Sequence, residues 1–109
     1  MSNKFEKGEI LVLTRLVEYS DNGIISKRIL ENSSGNLTLF SFDKDQKLSE
    51  HSAPFDAYIQ VLEGIAKITI GGKPNNLVAG DSIIMPANIP HAVFATEKFK
   101  MLLTMIKGN

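Results

Sequence analysis

Cysteine is absent from this sequence. That excludes a disulfide framework, a thiolate zinc site and a cysteine nucleophile. An excess of charge is absent too: twelve Lys and Arg offset twelve Asp and Glu, for a formal net charge of +0 and a pI ≈ 6.7. No field of that kind steers the chain onto nucleic acid or an acidic membrane. Uninterrupted apolar runs span only a few residues, so no membrane span is expected. Residues 1–9 hold two acids and two lysines and no apolar core, unlike a secretory signal. The expectation is a soluble, cytoplasmic protein. A glycine-rich phosphate loop, a catalytic serine signature and a basic-aromatic stripe are also missing. Histidine occurs twice, as His51 and His91.

What is present is an ordinary globular composition of 109 residues, 43% hydrophobic and 22% charged. A chain of that length builds one core without staples, and the whole of residues 1–109 is read as a single domain. The apolar residues come in short bursts at 24–30, 37–42, 58–62, 65–70, 82–85, 92–95 and 99–106. Turn residues punctuate them: Asn32 to Asn36, Gly64, Gly71-Gly72, Gly80-Asp81 and Pro86-Ala87-Asn88. Short Ile-, Val-, Phe- and Thr-rich strands at such spacing predict an all-β sandwich or barrel. The pair Gly71-Gly72 predicts a hairpin whose return strand holds Leu77 and Val78. Helix is plausible only in residues 8–17, where the apolar positions fit no single period. Residues 43–50 read as a polar connection.

Residues 51–91 are the specific part. His51-Ser52-Ala53-Pro54-Phe55-Asp56-Ala57 leads into a strand-like run ending at Glu63-Gly64, and fifteen residues later comes Gly80-Asp81-Ser82-Ile83-Ile84-Met85-Pro86-Ala87-Asn88-Ile89-Pro90-His91. Gly64 and Gly80 sit where strands must reverse, and glycine accepts positive φ without steric cost. Pro86 cannot donate to a ladder and should end its strand. His91 after Pro90 should open the next one. This arrangement resembles the small single-domain cupins, whose two motifs are G(X)5HXH(X)3,4E(X)6G and G(X)5PXG(X)2H(X)3N. The resemblance implies a double-stranded β-helix, or jelly-roll, barrel, with its conserved motifs over residues 38–107 and residues 1–17 as an N-terminal arm.

In that family two His and one Glu of the first motif and one His of the second hold a metal. Carried over by position, His51 is the first ligand and His91 the last. The second His position is Ala53 and the Glu position is Ala57. Two of four ligands therefore remain, where transition-metal sites ordinarily use three or four protein ligands. The resemblance keeps a divalent transition metal (Ni, Zn, Fe or Mn) on His51 and His91 as one alternative. Asp56, Tyr58 and Gln60 are the neighbouring polar candidates, and with Met85 they complete the expected pocket set. Strand parity argues against Tyr58 and Gln60, since Ile59 and Val61 share the face of Ala57, unless a bulge in residues 54–57 inverts it. Asp56 reads equally as a turn residue binding backbone N–H groups, and Asp81 as turn chemistry. Glu18, Tyr19 and Arg28 reach the pocket only if their strands lie close. Met85, Met101 and Met105 read first as core filler, although methionine suits an adaptable apolar pocket.

Two functions follow from different classes. One is a small-molecule-binding barrel with a degenerate metal site; the alternative is a metal-dependent cupin enzyme (oxygenase, isomerase or lyase) acting on a small polar substrate. An accessory partner pairing through strand edges is a third. Open sheet edges and the apolar run Ile10 to Leu13 lead to the expectation of a homodimer, against a reading in which the arm packs on its own barrel.

Overall fold

The computed structural model describes residues 5–107. Nine strands run in chain order: β1 (Ile24–Asn32), β2 (Gly35–Phe42), β3 (Lys47–His51), β4 (Asp56–Glu63), β5 (Ile65–Ile70), β6 (Lys73–Val78), β7 (Ser82–Met85), β8 (His91–Ala95) and β9 (Phe99–Ile106). The one helical element among the described residues is a 3-10 turn, Leu13–Arg15, so residues 8–17 hold no α-helix. Two antiparallel sheets face each other, one ordered β1-β2-β9-β4-β7 and the other β3-β8-β5-β6. This is the jelly-roll barrel the motif spacing implies.

Period-2 alternation decides what lies between the sheets. On β4 the inward set is Ala57, Ile59 and Val61, all buried. On β9 it is Phe99 and Met101, continued by Leu103 and Met105, and on the opposing sheet it includes Ala66, Ile68, Val93 and Ala95. Phe42 and Phe99 pair in register and stack with ring centroids 4.6 Å apart.

The turns follow from their residues. Gly71 (φ 56) and Gly72 (φ 82) form the two-residue loop joining β5 to β6, where both central residues take positive φ. Pro74 lies on β6, an edge strand, where a missing donor is tolerated. Asp81 Oδ2 accepts from Val78 N at 3.0 Å, which is the turn chemistry read from Gly80-Asp81. Residues 47–50, read as part of a polar connection, form strand β3 together with His51. It is an edge strand paired only to β8, with Leu48 its only non-exposed residue, so its apolar alternation is too sparse to see in sequence.

The arm docks on the outer face of the five-stranded sheet. Val17 is fully buried, Ser41 Oγ donates to Glu18 O at 2.7 Å, and Lys100 Nζ donates to Thr14 O at 2.6 Å. Tyr19 Oη donates to Glu63 Oε2 at 2.7 Å, with Lys98 and Lys100 over its ring at 4.7 and 5.0 Å. Burial first, and Glu63 second, push the Tyr19 hydroxyl pKa well up, so it remains a donor. Residues 13–19 thus pack on their own barrel, while Ile10, Leu11 and Val12 stay exposed.

Candidate functional site

His51 ends β3 and His91 opens β8, and the register of the two strands sets them opposite each other. The register shifts between Leu48 and His51, a bulge-like irregularity of the kind that re-aims a side chain at a barrel rim. The imidazole rings meet edge to face, with centroids 4.4 Å apart at 71°. Each Nδ1 lies against a carbonyl two residues back, His51 on Ser49 O at 2.7 Å and His91 on Ile89 O at 3.3 Å. A carbonyl oxygen only accepts, so each Nδ1 carries the proton and each Nε2 keeps its lone pair in the neutral ring.

The two rings line a cavity of about 120 Å³ between the sheets. Apart from the imidazoles, its side-chain lining is hydrocarbon and thioether: the ring of Phe40, the aliphatic chains including Ala53, Ala57 and Ile59, and Met85, Met101 and Met105. Among the described residues no side-chain carboxylate or hydroxyl lines it. His91 is buried, and that burial, then the nearby His51, lowers its pKa below the ordinary 6.5, with the bond to Ile89 opposing.

The sign of the pH effect follows. Well above 6.5 neither the native nor the unfolded His91 is charged. As pH falls through 6.5 the unfolded chain takes up a proton that the native ring resists, so stability declines towards the native pKa. Urea midpoints should be lower at about pH 5.5 than at about pH 7.5, and His91→Gln should reduce the difference. A midpoint that rises on acidification would contradict the assignment.

Of the six residues expected at the pocket, His51, Met85 and His91 line it; Asp56, Tyr58 and Gln60 do not. Tyr58 and Gln60 face the outside of β4, opposite the buried Ala57, Ile59 and Val61, and the register of β4 runs unbroken from Asp56 to Val61. The register irregularities of the sheets lie at Arg28/Leu30, Leu48/His51 and Val61/Glu63. Asp56 Oδ1 accepts from Ala87 N at 2.8 Å, and Ala53 O accepts from Asn88 N at 2.7 Å. Together they pin the 86–90 loop that delivers His91, so Asp56 anchors a loop across the barrel mouth. Tyr19 and Arg28 are also engaged elsewhere, with Glu63 and with Thr38 Oγ1. Met85, Met101 and Met105, core filler on the sequence pattern, all line the cavity, and the alternation Phe99, Met101, Leu103, Met105 is the signal for the last two.

Two facing sheets of this order, with histidine at the mouth, define a cupin-type barrel. The cupin domain family matches residues 38–107, and the chain belongs to that family. It is 38% identical to a conserved protein of unknown function from Streptococcus pyogenes, covering 100% of this chain and 97% of that one with a TM-score of 0.92. A cupin 2 conserved barrel domain protein from Leptotrichia buccalis is 44% identical over 87% of this chain, at a TM-score of 0.85; the match spans 46% of that protein. A cupin superfamily protein from Desulfitobacterium hafniense is 28% identical, covering 99% of this chain and 100% of that one, at a TM-score of 0.89. No curated protein matches the chain.

The four-ligand divalent site of the family does not fit the residues present. Ala53 and Ala57 stand at two ligand positions and line the cavity as methyl groups. Among the described residues no three His, Cys, Asp or Glu come together.

Proposed function

We propose that this protein binds a small, mainly apolar molecule in the barrel cavity through the paired imidazoles of His51 and His91. The observation that carries this reading is an apolar cavity whose polar side chains, among the described residues, are the imidazoles of His51 and His91, with each Nδ1 on a backbone carbonyl, Ser49 O or Ile89 O, so that Nε2 is the acceptor of the neutral ring. An apolar cavity of ~150 Å³ stays dry and takes up a molecule the size of benzene. A volume of about 120 Å³ therefore suits an occupant of similar or slightly smaller size. Its polar end must be a hydrogen-bond donor, such as a hydroxyl or a protonated carboxyl, because both nitrogens accept. A metal-dependent enzyme would need ligands where Ala53 and Ala57 stand.

Phenol is the probe. Calorimetric titration should show saturable 1:1 binding, weakened about five- to tenfold by the His51→Ala/His91→Ala double variant, as loss of a net hydrogen bond of ~1–1.4 kcal/mol requires. Absence of saturable binding by phenol and by short-chain alcohols would overturn the reading.

A cytoplasmic location and a homodimer belong to the same proposal. No helix among the described residues is long and apolar enough to cross a membrane. On the outer face of the five-stranded sheet, Leu30, Leu37, Thr104, Tyr58 and Ile84 form one cross-strand row in register. Leu30 is 48% and Ile84 62% exposed, and a second copy would cover such a row. Light scattering at micromolar concentration should give twice 12.0 kDa; a mass of 12.0 kDa excludes the dimer.

A further inference from the structure

The register of the five-stranded sheet places a methionine on each side of the alanine at the family's glutamate position. Ala57 pairs with Met85 of β7 on one side and with Met105 of β9 on the other. The row Met85–Ala57–Met105 lines the same cavity of about 120 Å³ as the His51–His91 pair of the opposing sheet. The small methyl of Ala57 leaves the middle of the row open, with a flexible thioether at either flank. The cavity's donor set, among the described residues, is two imidazoles and the thioethers of Met85, Met101 and Met105, with no oxygen among its side chains.

We propose that this cavity is a site for a soft monovalent cation, Cu(I), held by Nε2 of His51 and His91 and by the thioether sulfurs of Met85 and Met105. Three features of the donor set select that ion. Thioether and imidazole are soft or borderline ligands, matched to Cu(I), whereas Mg, Ca and Mn take oxygen. The lining supplies no negative charge, and the cost of burying an ion rises with the square of its charge, so a monovalent cation is far less penalised than a divalent one. Both Nδ1–H groups are already bound to backbone carbonyls, the arrangement that fixes the tautomer and orients metal-binding imidazoles. Binding changes no oxidation state: the ion enters as Cu(I) and lone pairs on nitrogen and sulfur replace those of its carrier.

The inference goes beyond the small-molecule reading and stands on the sulfur atoms of Met85 and Met105 as ligands, where that reading asks of them only an apolar wall. The competing account is that the methionines only fill the space Ala57 leaves. The two are separated by anaerobic titration of Cu(I) against bicinchoninate, with X-ray absorption on the loaded protein. The expected result is one equivalent bound with sulfur as well as nitrogen scattering. Met85→Leu/Met105→Leu keeps the volume filled, so the fold stands. It should weaken Cu(I) at least about 100-fold, beyond the 10- to 100-fold that loss of a mere outer partner costs, and abolish the sulfur signal. Zn(II) should bind more weakly than Cu(I). No binding in competition with bicinchoninate, nitrogen-only scattering, or unchanged affinity in the double leucine variant would each overturn the site. The urea midpoint of that variant is the control: an unchanged midpoint with Cu(I) lost shows that ligation and not the fold was removed, while phenol titration of the unaltered protein tests the small-molecule reading separately.

Discussion

Phe99→Ala should cost about 3–5 kcal/mol of unfolding free energy, much of the 5–15 kcal/mol that a domain of this size ordinarily has. Phe99 is fully buried, and its ring lies 4.6 Å from that of Phe42 at an interplanar angle of 12°. It sits on β9, the central strand of the five-stranded sheet, with β2 on one side and β4 on the other. Truncation removes the buried ring and leaves a void that two flanking strands, each hydrogen-bonded along its length, cannot collapse to fill. Phe99→Leu, which keeps much of the volume, should cost less. Urea melts of both variants measure the difference, and a loss under about 1 kcal/mol for Phe99→Ala would show that Phe99 is not a keystone of the core.

Gly64→Ala should be of similar severity, at about 3 kcal/mol or more, for a different reason. Gly64 turns β4 into β5 at φ 84, a region costly to residues with a side chain. A Cβ there would lie 2.0 Å from Lys98 O and 2.6 Å from the Phe99 Cα, both backbone atoms with nowhere to go. Gly72 is the control. Its φ of 82 is nearly the same, yet nothing lies within 4 Å of its added Cβ. Gly72→Ala should therefore carry only the left-handed penalty of roughly 1–2 kcal/mol. Equal losses at both positions would show that dihedral strain, not close approach, governs Gly64.

Gly64 also shows what a sequence carries and what it does not. The glycine, its place before a strand and the spacing to Gly80 and Pro86 are readable along the chain, because turn chemistry is local. The same holds for the inward face of β4: Ala57, Ile59 and Val61 alternate visibly and are buried as alternation requires. Strand β3 escaped because an edge strand with one inward residue has no period to detect. Asp56 was legible as a binder of backbone N–H, but its partner, Ala87 N, lies 31 residues away and is set by tertiary packing. The histidine pair was reachable only through the spacing of the two motifs. The flanking of Ala57 by Met85 and Met105 was not reachable at all, since cross-strand register between β7, β4 and β9 is fixed by long-range pairing. The described part of the N-terminal arm divides the same way: its apolar run is exposed at Ile10, Leu11 and Val12, while Val17 beyond it is buried as cover for its own sheet.

The central claim, that the cavity behind His51 and His91 is the binding site, is tested most directly by nuclear magnetic resonance during titration with phenol. The imidazole 15N signals of both histidines and the methyl signals of Met85, Met101 and Met105 should move together and saturate at one equivalent. Shifts confined to the outer faces of the sheets, with the Nε2 signals of His51 and His91 unmoved, would contradict it.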